Sequence, residues 1–186
     1  MPAMKNASNV TATTQFIEVK NQRYAYRRFG SGPELPLLFL QHFRGTLDNW
    51  DPAVTDPLAL GREVILFESA GVGRSTGTVP KTVAGMAQHA LAFLNGLGVN
   101  TCDVLGFSLG GMVAQQMALE SPSLFRRIIL VGTAPRGGED IMRVEKPSLA
   151  QHLNDPDIRE THANWQALAP QKDAVRNAPT QKAAGP

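Results

Sequence analysis

Alternating apolar and polar side chains mark the first predicted elements of the chain. Residues 15–20 read QFIEVK and residues 23–29 read RYAYRRF, each with the two-residue period of a half-buried strand. A short polar turn at Asn21-Gln22 separates them, so an antiparallel hairpin is expected. The pattern then changes to nearly continuous apolar runs at residues 37–40 (LLFL), 63–68 (EVILFE), 102–107 (CDVLGF) and 126–131 (RRIILV). Such runs suit strands of a parallel sheet that is covered on both faces. Helical spacing appears between them. Val83, Met86, Ala90, Phe93, Leu94 and Leu97 share one helix face, with Thr82 placed as the cap and Gly98 as the stop. Residues 109–121 predict a second helix that ends before Pro122. Residues 51–60 predict a weaker one, interrupted by Pro52 and Pro57. Strand and helix alternating in this rhythm imply βαβ units, and hence an α/β fold.

After Gly132 the periodic pattern decays. Residues 135–140 are rich in turn formers, and residues 151–186 hold 12 apolar residues in 36, seven of them alanine. No stretch there reads as a buried strand. The organisation expected is a disordered segment at 1–14, an α/β core at 15–138, and a cap-like or disordered tail at 139–186.

Composition narrows the classes of function. A chain of 186 residues fits one domain. Charged residues make up 18% while apolar residues reach 42%, which argues against disorder of the whole chain. A net charge of +2 offers no electrostatic footprint for nucleic acid. Cys102 is the single cysteine, so no intrachain disulfide can form. No apolar run approaches membrane-spanning length, and residues 1–14 lack the apolar stretch of a secretory signal. A cytoplasmic protein is the expectation. Asn6-Ala7-Ser8 and Asn9-Val10-Thr11 match glycosylation acceptors, and both are read as chance.

The sharpest chemical signal is Gly106-Phe107-Ser108-Leu109-Gly110, which follows a predicted strand and opens a predicted helix. That context is what a nucleophile elbow requires. A serine on a tight strand-to-helix turn lifts its hydroxyl clear of the sheet, and Gly106 and Gly110 flank it where a side chain would meet the neighbouring strand and helix. The helix start brings free N–H groups and a positive dipole end to Ser108, with the Leu109 N–H as one oxyanion donor. Gly71, Gly73 and Gly77 are spaced Gly-x-Gly-x-x-x-Gly, which is not the dinucleotide-binding spacing. Glu68, at a strand end, reads as a carboxylate that braces loops. Cys102, at the start of a buried strand, reads as a small apolar residue.

With these residues in place the chain resembles an α/β-hydrolase over roughly residues 16–138. Three motifs carry the resemblance, in family order. Gln41-His42-Phe43-Arg44-Gly45 is similar to the His-Gly-x loop after the third strand, with Gln-His where the family has His-Gly. Gly71-Val72-Gly73-Arg74-Ser75 resembles the Gly-x-Gly-x-Ser turn after the fourth strand, and the third motif is the elbow at Ser108. The resemblance implies a mostly parallel sheet with an N-terminal antiparallel hairpin and helices on both faces. It implies an acyl-enzyme on Ser108, a second oxyanion N–H from Phe43, a small-molecule substrate, and no metal or organic cofactor. It also implies an acid and then a histidine, each after a later strand. His42 belongs to the oxyanion loop, and His89 lies on the edge of an apolar helix face. His152 and His162 follow Ser108 without the strand context of a triad histidine. Asp140 falls after the sixth strand, where some family members keep their acid, but beyond the turn at 135–138, at what resembles the start of a cap region. The acid and the histidine are therefore not assigned, and the chain reads as an incomplete hydrolase sheet lacking its C-terminal part. The alternative is a catalytically inactive remnant that serves as a binding scaffold. The sixth strand, at 126–131, is expected to be an edge through which copies can associate, guarded only by Arg126 and Arg127.

Overall fold

The computed structural model of the chain describes residues 8–137. Among them, strands β1 (Gln15–Val19), β2 (Gln22–Phe29), β3 (Glu34–Leu40), β4 (Arg62–Phe67), β5 (Cys102–Phe107) and β6 (Phe125–Val131) form one sheet in the order β1-β2-β4-β3-β5-β6. The β1–β2 and β2–β4 pairs are antiparallel, and β4, β3, β5 and β6 run parallel. Helices α1 (Pro52–Leu58), α2 (Val83–Gly96) and α3 (Leu109–Glu120) connect them. No helix among the described residues is long and apolar enough to cross a membrane.

The hairpin turns one residue earlier than its sequence suggests. Val19 pairs with Gln22, and Lys20 and Asn21 take φ of 51° and 65°. Two left-handed residues give a turn whose twist matches that of the flanking strands. The helix expected near 51–60 forms despite its prolines. Pro52 sits at the first turn, where its missing N–H costs nothing, and the Asp51 carboxylate accepts from the Ala53 N–H. Thr82 caps α2 through the Gly85 N–H. At its other end Gly98 (φ 70°) donates to Asn95 O, and Val99 donates to Leu94 O, the paired bonds that close a helix on a left-handed residue.

Of the segment expected to be disordered, residues 8–14 turn back onto the core. The Asn9 amide donates to Trp50 O at 2.9 Å and its N–H to Asp56 at 2.8 Å, while its side-chain oxygen accepts from Arg27. Asn9 is 1% exposed. The acceptor-like Asn9-Val10-Thr11 is thus part of the packing. Single polar anchors of this kind carry no periodic signal, which is why the sequence pattern does not reveal them.

Successive residues of β3 and β4 point to opposite faces, and both faces are covered. Leu38, Leu40, Ile65 and Phe67 pack with Tyr24, Phe93, Leu94 and Met117 under α2 and α3. Leu37, Phe39, Val64 and Leu66 pack with Phe29, Leu47, Trp50 and Ala59 on the other side. Two covered faces explain the unbroken apolar runs.

At the N-terminal ends of the parallel strands, Asp103 collects charge from two neighbours. Arg126 of β6 donates to both its carboxylate oxygens, at 3.0 and 2.7 Å, and Arg62 of β4 donates at 2.7 Å. Glu34 of β3 bridges both arginines. Arg126 is therefore tied across the sheet rather than standing free as an edge guard. β6 is the outermost strand among the described residues, with Ile128, Ile129, Leu130 and Val131 each 39–45% exposed.

The Asp103 side chain is 2% exposed, and hydrogen bonding to Arg126 holds its carboxyl below the usual carboxylate range. A depressed carboxylate pKa stabilises the fold above the unfolded value and loses that contribution as pH falls through the folded one. Asp103→Asn should therefore lower stability at neutral pH and flatten the decline seen on acidification below about pH 4. Asp103→Ala, which leaves two arginines facing an empty site, should cost on the order of 3 kcal/mol. Urea denaturation across a pH series checks both.

Candidate active site

The chain leaves β3 toward β4 on one side and later returns past it to β5 on the other. Loops after β3 and β5 therefore flank a crevice at the carboxyl ends of adjacent parallel strands, where α/β sheets bind ligands. Ser108 sits in the turn from β5 to α3 with φ 53° and ψ −118°, a conformation that costs a non-glycine residue about 1–3 kcal/mol. Two features of the chain hold it there. The Ser108 N–H donates to Val131 O at 2.9 Å, extending the β5–β6 ladder by one rung. The flanking glycines allow contacts that no side chain would. A Cβ at Gly106 would collide with the backbone of Gly110 and Gly111, and one at Gly110 with the carbonyls of Leu40 and Gln41.

That second contact seats the first turn of α3 against the loop after β3. In the loop, the His42 N–H donates to the Gln41 side-chain oxygen at 3.0 Å, and the Gly45 N–H donates to His42 O. The Phe43 N–H has no partner among the described residues, and neither has the Leu109 N–H in the first turn of α3. Both backbone donors, without a partner among the described residues, belong to segments that line the crevice. Arg44 takes the left-handed conformation here, φ 62°, and Gly45 does not. Gly45 is required for space, because the Gln41 side chain lies where its Cβ would be.

Glu68, at the end of β4, ties the crevice walls together. It is 3% exposed. One carboxylate oxygen accepts from Leu47 N–H at 3.1 Å and the other from Arg74 N–H at 2.7 Å. Its carbonyl accepts from the Ser75 hydroxyl, which in turn accepts from Ala25 N–H. Gly73 (φ 54°) passes so close that a Cβ would touch the Glu68 carboxylate. The glycine-rich turn after β4 is thus shaped around this side chain.

A cavity of about 260 Å³ opens between these walls. The 41–45 loop, Ser69, Val72, Val79, Met86, Leu109, Gly110 and Val113 line it together with Leu40. Sequence reading did not find Val79, Met86 or Val113 as site residues. Met86 and Val113 carry the same apolar signal as any core position, and Val79 lies in a loop between turn formers.

The histidines divide clearly. His42 bonds Phe43 O through Nδ1 at 2.8 Å and lies edge-on to the Phe107 ring. His89 Nδ1 bonds the Tyr24 hydroxyl at 2.6 Å. Neither bonds to Ser108, whose hydroxyl has no hydrogen-bond partner among the described residues. Asp140, His152 and His162 lie outside the described residues. Cys102 is buried, and desolvation pushes its thiol up to about 12, so it is a protonated core residue at neutral pH. Among the described residues no three His, Cys, Asp or Glu side chains gather as a metal's ligands would.

Comparison with known proteins places the chain. The model of the family described as "alpha/beta hydrolase fold" matches residues 36–178. The dihydrolipoyllysine-residue acetyltransferase component of the acetoin cleaving system from Cupriavidus necator is 36% identical over 66% of this chain and 33% of its own length. The pimeloyl-[acyl-carrier protein] methyl ester esterase from Aeromonas hydrophila is 34% identical over 58% of this chain and 41% of its own. A solved structure, an alpha/beta hydrolase fold protein from Chitinophaga pinensis, superposes with a TM-score of 0.68 at 52% identity, covering 69% of this chain and 47% of that one. The chain spans less than half the length of each of these proteins.

The contacts separate glycines that are structurally required from one that is not. Gly110→Ala should destabilise the fold by about 1–3 kcal/mol or more, because backbone carbonyls block its Cβ. Gly61 faces open space, and Gly61→Ala should be neutral or stabilising by up to about 1 kcal/mol. Glu68→Gln offers one acceptor where two N–H groups need one each, and should cost about 1–3 kcal/mol. Midpoints and slopes of urea unfolding for the three variants decide these outcomes.

Proposed function

The chain belongs to the alpha/beta hydrolase fold family, and on that premise we propose that it hydrolyses an ester, amide or related bond of a small molecule through an acyl-enzyme on Ser108. The observation that carries the proposal is the strained Ser108 close in the chain and fold to two backbone donors without a partner among the described residues, Leu109 N–H and Phe43 N–H. In the proposed reaction the Ser108 oxygen attacks the substrate carbonyl carbon while its proton passes to a general base. The carbonyl oxygen becomes an oxyanion held by the two N–H groups at the positive end of α3. Collapse breaks the bond to the leaving group, which departs with that proton. Water then cleaves the serine ester by the same steps and frees the acid. Donors fixed by the backbone need no reorganisation as charge develops, which is why such donors contribute strongly. Gln41 occupies the His42 N–H, and the Phe43 N–H next to it has no partner among the described residues. No acid or histidine is assigned to the other two places of the triad.

A second reading is a binding scaffold of the same fold, supported by the engagement of both described histidines elsewhere: His42 bonds Phe43 O and His89 bonds the Tyr24 hydroxyl. A serine without a base is a weak nucleophile. The two readings separate on reactivity. Under the hydrolase reading an organophosphorus probe should label the full chain once, at Ser108, and Ser108→Ala should abolish labelling and turnover of an activated ester. An unlabelled, folded chain at neutral pH would favour the scaffold.

The backbone gives an independent check. Ser108→Gly relieves the strained φ while keeping the N–H bonded to Val131, so this variant should be at least as stable as the parent and unreactive. Thermal denaturation together with probe labelling measures both effects.

A further inference from the structure

We propose that the 260 Å³ cavity lined by Phe43 and by Leu109, the residue after Ser108, takes an uncharged apolar chain of about eight to ten carbons as the acyl part of the substrate, with Met86 and Val79 limiting its length. The proposal rests on the hydrolase reading of Ser108 for the word acyl. It rests on the cavity alone for the apolar chain.

Three observations support it. The cavity wall includes Phe43 and Leu109, which carry the free donors. A carbonyl oxygen held by both donors would sit at the cavity wall, and the cavity is assigned to the carbon substituent of that carbonyl rather than to its leaving group. The side chains contributed by Val72, Val79, Met86, Leu109 and Val113 are apolar, and no described lining residue is a carboxylate. A cationic group would find no carboxylate partner among the described lining residues, and desolvating one without a partner is costly. The polar residues of the lining are Gln41, His42, Arg44 and Ser69, and Arg44 is exposed.

Size sets the class of chain. An apolar cavity of ~150 Å³ holds benzene, six carbons, and by that ratio 260 Å³ holds about ten. Met86 stands in the first turn of α2, and its unbranched, polarisable side chain adapts to a flexible occupant. Val79 is 47% exposed. Larger side chains at these two positions would shorten the space from the α2 side and from solvent.

The test uses the full chain in two arms. In the first, turnover of p-nitrophenyl esters from acetate to dodecanoate should give kcat/KM rising about threefold to fourfold per methylene up to octanoate or decanoate, then levelling or falling. Met86→Trp should move the optimum to butanoate or shorter. Val79→Trp, at an exposed position that should tolerate the change, repeats the test should Met86→Trp not fold. In the second arm the Ser108→Ala chain is titrated with 1-butanol, 1-hexanol and 1-octanol by calorimetry. Affinity should rise by the same factor per methylene and fall at least tenfold for octanol in the tryptophan variant. Chain-length-dependent alcohol binding without any ester turnover would uphold the apolar cavity while the hydrolase reading failed. Ester turnover with no chain-length dependence, and alcohols that do not bind, would overturn the cavity proposal while the hydrolase reading stood.

Discussion

Backbone must touch backbone where β5 turns into α3, and the rest of the crevice is arranged around that contact. Gly106 lies against Gly110 and Gly111, and Gly110 lies against the carbonyls that end β3. Two methyl groups would suffice to push the helix start away from the loop. The Leu109 and Phe43 donors would then no longer share one space, and the cavity wall would open. Protein interiors tolerate little change in volume, so this seam behaves as a fixed dimension. Ser108 is held in its strained conformation within that seam, and its N–H is fastened to β6.

A polar tie does the corresponding work on the far wall. Glu68 holds the backbone on either side of it, at Leu47 and Arg74, and Ser75 carries the tie on to β2. These bonds converge on one buried side chain at a strand end. The loops after β3 and β4 are thereby set relative to each other by hydrogen bonds with defined directions, which apolar packing alone does not supply. At the opposite end of the same strands Asp103 plays a matching part for Arg62 and Arg126. The parallel sheet is pinned by carboxylates at both its ends and by apolar contacts between them.

Much of this was legible in the sequence. Buried strands announced themselves as apolar runs because both faces of the sheet are covered, and α2 matched its predicted cap and stop because Thr82 and Gly98 have specific backbone roles. The strand before Ser108 and the helix after it were readable, and the family resemblance is upheld by the match over residues 36–178. What escaped were pairings between residues distant in sequence. Asn9 on Trp50 and Asp103 between two arginines each depend on which segments the fold brings together. The hairpin turn was misplaced by one residue because Asn21 suits either register until Lys20 adopts a left-handed conformation too. In the loop after β3 the left-handed residue is Arg44, and Gly45 is needed for room.

The bond from Ser108 N–H to Val131 O joins the most strained point of the crevice to the margin of the described sheet. β5 is therefore clamped to β6 at both extremities, through Asp103 and Arg126 at one and through Ser108 and Val131 at the other. Fraying of β6 would travel inward as a loss of tension at the serine, since the left-handed backbone there persists only while its surroundings over-determine it. Any event that peels or caps that margin is thus in mechanical series with the serine hydroxyl. The solvent exchange of a single amide, that of Ser108, would register it.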